Sequence, residues 1–171
     1  MSYRIRQAQP DDAGQILAHL RIVADEPNNG ISLSSSSELT QTTKSRAEVI
    51  RDALDSEDKM IFVAEVDDDI IGVLHCSNKP GGYAHTYSLG ITVRKQWRDQ
   101  GIGTALLQNL MKWGQQNPKC HRLELQVFSD NPRAIHVYRK LGFIHEGIRK
   151  DAFYKDNKFL DLVYMAIIFN D

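Results

Sequence analysis

Between the strand-like run Tyr87-Ser88-Leu89-Gly90-Ile91-Thr92-Val93 and an apolar-periodic stretch that begins at Ile102 lies Arg98-Asp99-Gln100-Gly101-Ile102-Gly103-Thr104. Two glycines let this backbone bend sharply and approach a ligand closely. The segment also opens a helix, where unpaired N–H groups and the positive end of the helix dipole favour an anion. The chemistry implied is main-chain binding of phosphate. Spacing excludes two common phosphate loops: Leu106 stands where the dinucleotide fingerprint has its third glycine, and no Gly-Lys-Ser/Thr is present for a P-loop. What fits is Arg-x-x-Gly-x-Gly at Arg98, Gly101 and Gly103. By itself that pattern fits an ordinary glycine-containing turn equally well.

A second segment adds to it. The alternating run Leu123-Glu124-Leu125-Gln126-Val127-Phe128 is followed by Ser129-Asp130-Asn131-Pro132-Arg133-Ala134-Ile135-His136-Val137-Tyr138-Arg139-Lys140-Leu141-Gly142-Phe143. Asp130 or Asn131 can cap a helix that Pro132 starts, and Gly142 suits its left-handed stop. Ile135, Tyr138 and Leu141 share one face of that helix. The phosphate loop, the Asn-x-x-Ala-x-x-x-Tyr helix and the Leu-Gly-Phe exit together resemble the GNAT superfamily of N-acetyltransferases in type, order and spacing. The resemblance, to the bacterial stand-alone single-domain type, runs over nearly the whole chain, from residues 3–7 to residues 161–169.

That resemblance implies acetyl-CoA as co-substrate, a primary amine of a small molecule as acceptor, and no metal. Ile91, Thr92 and Val93 would offer backbone groups to the pantetheine arm, and Ser88 and Gly90 would leave room for it. The amides of Arg98, Asp99, Gln100, Gly101, Ile102, Gly103 and Thr104 would hold the diphosphate, and Asn131 would hydrogen-bond the arm. Arg133, Arg139 and Lys140 either reach the 3′-phosphate or are free surface cations. Tyr138 matches the family's general acid at the thioester sulfur; its hydroxyl is a donor at neutral pH.

The general base stays open. Branches that act on protein N-termini often carry glutamate where this chain has Gln126, which accepts no proton at useful pH. Glu124, two residues earlier on the same strand face, is one candidate; His85 and His75 are others. Glu26, beside Pro27, would meet the acceptor amine or act through water. Neither Cys76 nor Cys120 lies in a nucleophile motif, which favours direct attack in a ternary complex. A protein N-terminal or lysine acetyltransferase is the alternative, made less favourable by Gln126. A non-catalytic acyl-CoA-binding module is a third reading, against which Tyr138 stands.

These groups must be positioned by ordinary elements. Residues 4–7 read as a strand, and 11–24 as a helix capped by Asp11 or Asp12 with Ile16, Leu17, Leu20 and Val23 inward. Residues 25–43 form a long loop containing Pro27-Asn28-Asn29-Gly30 and Ser34-Ser35-Ser36-Ser37; such loops are commonly functional or mobile. By position it matches the segment that covers the acceptor pocket in this superfamily. A helix over 44–54 turns Ala47, Ile50 and Leu54 inward. Strands 60–66 and 70–75 pair about Asp67-Asp68-Asp69, a solvated turn rather than a metal site. Strand four spans 83–94, and the phosphate-loop helix carries Ile102, Leu106, Leu110 and Trp113 on one stripe. The expected fold class is α+β: one domain over 1–171, with a mixed, mostly antiparallel sheet of about seven strands flanked by about four helices.

Bulk properties narrow the classes further. A chain of 171 residues suits one domain with a real core. Net charge is −1, which argues against a nucleic-acid partner. Residues 1–90 carry −6 and residues 91–171 carry +5, a polarity that suits an anionic cofactor on the second half, though solvated surface charge explains it too. No apolar run approaches the roughly 20 residues that span a membrane. Met1-Ser2-Tyr3-Arg4-Ile5-Arg6 lacks the apolar stretch of a signal peptide, and two cysteines give neither metal-ligand spacing nor a disulfide framework. A cytoplasmic protein is expected. The apolar run at 162–169 either pairs across a homodimer or forms a buried strand within one chain.

Overall fold

A computed structural model describes residues 2–32 and 35–169; Leu33 and Ser34 of the expected loop, Met1, Asn170 and Asp171 lie outside the described residues. The elements run β1 (Arg4–Gln7), α1 (Ala13–Asp25), α2 (Thr43–Leu54), β2 (Lys59–Val66), β3 (Asp69–Asn78), β4 (Thr86–Val93), α3 (Ile102–Gln116), β5 (Arg122–Phe128), α4 (Pro132–Lys140), β6 (Ile144–Lys155) and β7 (Lys158–Ile168). The strands make one seven-stranded sheet in the order β1-β2-β3-β4-β5-β7-β6. Every neighbouring pair is antiparallel except β4 and β5. This is the expected α+β arrangement.

Local chemistry accounts for the element ends. Asp67 and Asp68 take φ of 48° and 63°, the left-handed pair that a two-residue hairpin turn between β2 and β3 requires. At α2, Thr42 Oγ1 accepts from the Ser45 amide at 3.1 Å while Ser45 Oγ accepts from the Thr42 amide at 3.0 Å. The start of α1 differs from expectation. Pro10–Asp12 form a 3-10 turn first, and no side chain caps α1. Asp12 instead accepts from the Gln9 amide at 2.7 Å and from both Arg6 terminal nitrogens at 2.6 and 2.8 Å. The guanidinium holds its carboxyl below the usual carboxylate range.

Alternation along the strands splits the core in two. On one face Ile61, Val63 and Val73 pack under Ile16 of α1 and Ile50 of α2. On the other, Leu74, Cys76, Leu123 and Leu125 pack under Leu106, Leu107 and Leu110 of α3 and Tyr138 of α4. Each such side chain, once buried, contributes about 1.5–3 kcal/mol. The apolar run at 162–169 is an interior strand: β7 is bonded to β5 on one side and β6 on the other, and Val163, Met165 and Ala166 are buried. Its backbone is therefore already satisfied within one chain, which is the second of the two readings of this run.

The feature that positions the site is a fork. β4 pairs with β3 as far as Val93, yet with β5 only at Thr86, Tyr87 and Ser88. Beyond Ser88 the two strands part, leaving the β4 edge over residues 89–93 without a strand partner. Polar main chain with no partner needs something else to bond.

Candidate active site

An open cleft of about 1220 Å³ starts at this fork. Ile91, Thr92 and Val93 line it, as do Arg98, Asp99, Gly101, Ile102, Gly103, Thr104, Asn131 and Tyr138. These expected cofactor residues come together from β4, the loop before α3, and α4. Gln100, whose main-chain amide was the expected contact, is not among the lining residues, and its side-chain amide donates to the Gln96 carbonyl at 3.1 Å.

The N-terminus of α3 is open. Thr42 caps α2 and Asn131 caps α4, but no side chain caps α3. Gly101, its N-cap, sits at φ 80°, a left-handed conformation that glycine adopts without strain. Arg98 fixes the loop rather than facing outward. Its Nε donates to the Val93 carbonyl at 2.8 Å, and Nη2 pairs with Glu26. The result is a row of unfilled amides at the positive end of a 15-residue helix.

Thr92 is held from behind. Its hydroxyl meets Nε2 of the fully buried His19 at 2.8 Å. Burial, helped by the charges of Arg94 and Arg98, pulls the His19 pKa down to about 4, so the ring stays neutral. At α4, Asn131 Oδ1 is spent on capping: it accepts from the Ala134 amide at 3.2 Å. Its amide nitrogen remains on the cleft side, against Gly30 of the long loop.

Tyr138 is seated by the helix exit. Gly142 donates to the Arg139 carbonyl at 3.0 Å and Phe143 to the Tyr138 carbonyl at 3.0 Å, the paired bonds of a Schellman stop. The Tyr138 and Phe143 rings then meet edge-on with centroids 5.8 Å apart. Only 8% of Tyr138 is exposed, and burial pushes its pKa up to about 12. Among the described residues its hydroxyl has no protein partner, so this protonated donor is available to the cleft.

The acceptor side is made of side chains. His75 of β3 lies across Gly90 of β4, where an added Cβ would come within 2.5 Å of its Cε1. Solvent reaches the ring through the cleft, but the protein packed around it, and then the Arg46 charge, pull its pKa below the usual imidazole range. Arg46 of α2 and Gln126 of β5 also face the cleft. Lys155, at the tip of the β6–β7 hairpin, donates to Asn29 Oδ1 at 2.7 Å and to the Ile31 carbonyl at 2.8 Å, tying the long loop over the site.

Three expected site residues lie elsewhere. Glu124 shares the sheet face of Gln126, but it is bound to Lys79 and, at 3.1 Å, to Arg122, outside the cleft. His85 is exposed before β4, beside His121, with ring centroids 6.1 Å apart. Glu26 accepts from the Lys95 amide at 2.7 Å and pairs with Arg98, so it braces the phosphate loop from behind. Ion pairing accounts for Glu124 and Glu26, whose partners Lys79 and Arg98 are 45 and 72 residues distant in the linear order, and position before β4 accounts for His85. The residue missed was Arg46, although a signal existed. It lies four and seven residues before Ile50 and Ala53, which are buried, so a charge occupies the apolar stripe of α2.

Residues 31–143 match the family model described as Acetyltransferase (GNAT) family. The L-amino acid N-acetyltransferase AaaT of Escherichia coli (strain K12) is 33% identical over 107 residues, which cover 61% of this chain and 65% of that protein. The chain thus spans just under two thirds of that relative. An acetyltransferase of the GNAT family from Streptococcus pneumoniae superposes with a TM-score of 0.93 at 26% identity, over 99% of this chain and 100% of that one. The yncA protein of Salmonella typhimurium, solved with its cofactor acetyl-CoA, superposes with a TM-score of 0.86 over 100% and 96% of the two chains; at 19% identity this likeness concerns the fold alone.

Proposed function

The chain belongs to the acetyltransferase (GNAT) family, and from that membership we propose that it moves an acetyl group from acetyl-CoA to the primary amine of a small molecule by direct attack in a ternary complex. The observation that carries the reading is the continuity of one cleft, from the uncapped α3 amides, along the free β4 edge, to the unpartnered Tyr138 hydroxyl.

The residues present fit the co-substrate. Amides of residues 101–104 suit a diphosphate, the β4 edge at Ile91, Thr92 and Val93 suits the amide-bearing arm, and the Asn131 side-chain nitrogen adds a donor. Acetyl-CoA supplies an acetyl group activated as a thioester. Tyr138 donates its hydroxyl proton to the departing sulfur. Its pKa near 12 lies above that of a free thiol, about 8.5, but burial that disfavours tyrosinate disfavours thiolate beside it in parallel. Cys76 and Cys120 do not line the cleft, and burial pushes the first far up and the second to about 12. Neither forms the thiolate that an acyl-enzyme route needs.

Among the base candidates His75 alone faces the cleft, and it replaces Glu124 and His85 in this reading. Its depressed pKa keeps a ring nitrogen unprotonated at neutral pH, ready to take the proton of the acceptor ammonium. The Arg46 charge adds to that shift: it keeps the resting ring neutral and favours onward release of the proton once it is taken.

Calorimetry with acetyl-CoA, followed by thiol release in a panel of free amino acids, polyamines and N-terminal peptides, tests the proposal. Heat with acetyl-CoA and release with free amines are expected. Absence of heat, or release with peptides alone, overturns it.

A further inference from the structure

Five arginines of this protein are half-buried: Arg6, Arg46, Arg94, Arg98 and Arg122. Four of them hold carboxylates. Arg6 pairs with Asp12 and Glu65, Arg94 with Asp69, Arg98 with Glu26, and Arg122 with Glu124 and Glu146. Arg46 holds none among the described residues. One terminal nitrogen donates to the side-chain oxygen of Gln41, a neutral amide, and its Nε is buried without an acceptor. Burial pulls its pKa down with no neighbouring carboxylate to oppose the shift. A guanidinium is charged under any physiological condition, so this charge is partly desolvated and has no carboxylate to compensate it.

Its place makes the deficit informative. Arg46 projects from α2 into the cleft on the acceptor side of the fork, near enough to His75 for its charge to act on that ring. Among the described residues, the carboxylates that border the same cleft form no ion pair with Arg46: Asp99 pairs with Arg133, and Glu38, Asp130 and Asp156 act on Lys155. Resting on the acetyltransferase reading above, we propose that Arg46 is the anchor for a carboxylate carried by the acceptor itself, which makes the substrate an amino acid. The Arg46 fork receives two carboxylate oxygens, the geometry a guanidinium matches best. That contact fixes the amine toward the thioester. A polyamine would instead bring a second cation up to Arg46, and a primary amide would leave the guanidinium without its anion.

The experiment compares kcat/KM for the twenty free amino acids, their primary amides, their decarboxylated amines and spermidine, in the native protein and in Arg46→Gln and Arg46→Lys. Thiol release reads turnover, and calorimetry with acetyl-CoA confirms that each variant is folded. The native protein is expected to prefer the best amino acid over its amide and its decarboxylated amine by about 100-fold or more, the loss typical when a buried charge is left unpaired. Arg46→Gln should collapse that ratio to within a few-fold, and Arg46→Lys should restore part of it. Amines acetylated with no preference for the carboxylate, or a preference that survives in Arg46→Gln, overturns the anchor and leaves the acetyltransferase reading standing. Acetyl-CoA binding without thiol release from any of these amines overturns both.

Discussion

On the α3 side of the cleft, what faces a ligand is main chain: the amides of residues 101–104 and the free edge of residues 89–93. On the opposite side it is side chains, with Arg46, His75 and Gln126 drawn from α2, β3 and β5. The first wall comes from neighbouring segments in sequence, and its binding groups are the same whatever residue carries them. The second is assembled from three remote positions, and each residue type decides what can bind. A shared chemical handle belongs on the first wall and a discriminating one on the second. Tyr138 stands where the two meet, fixed by a helix exit that belongs to the first.

Substitutions can break this contrast. The largest expected effect is at the junction: Tyr138→Phe should lower kcat by about 100-fold or more, as loss of a general acid does, while the KM for acetyl-CoA moves by no more than a few-fold. Steady-state kinetics at saturating amine reads this directly. Because burial raises the Tyr138 pKa to about 12, its protonated form persists across the workable alkaline range, so no loss of kcat from its ionisation should appear below that pH. Next comes the main-chain wall. Gly101→Ala places a Cβ on a left-handed residue at a cost of about 1–2 kcal/mol and tilts the amides that follow. A melting point lower by a few degrees and an acetyl-CoA KM raised by about tenfold are expected, with the amine KM unchanged. A rise in amine KM alone would put Gly101 on the wrong wall.

Smaller effects sharpen the same division. Glu26→Gln should raise the acetyl-CoA KM by about threefold through Arg98, the scale of one partly buried ion pair, and leave the amine KM alone. Were Glu26 an acceptor ligand, the reverse pattern would be measured. Glu124→Gln and His85→Ala should each change kcat by less than about twofold, as for surface changes away from the chemistry. A pH–rate profile that loses its acidic limb in either variant would return that residue to the role of base.

The main-chain wall was legible before any fold was known, for a physical reason. Backbone amides at a helix start need only a left-handed glycine, a helix-opening position and a strand ahead of it, all of which are local. Residues 98–104 and 131–143 therefore announced the loop, the Asn131 cap, the Gly142 stop and Tyr138 in the linear order. The acceptor wall was less legible. Glu124, His85 and Glu26 have chemistry suited to a base or a ligand, yet Lys79 and Arg122 claim the first, the second is exposed beside His121, and Arg98 claims the third.

Order along the chain thus settled the α+β fold and the strand count, and it placed Gly101 ahead of α3 and Tyr138 near the exit of α4, because periodicity, capping and glycine geometry act within a few residues. Which side chains share the space opposite them was decided by tertiary structure. Only when β4 and β5 part beyond Ser88, and α2 packs on β2 beside β3, do an arginine at 46 and a histidine at 75 line the same cleft. Desolvation and ion pairing then set what each can do, and both depend on neighbours that no local pattern names.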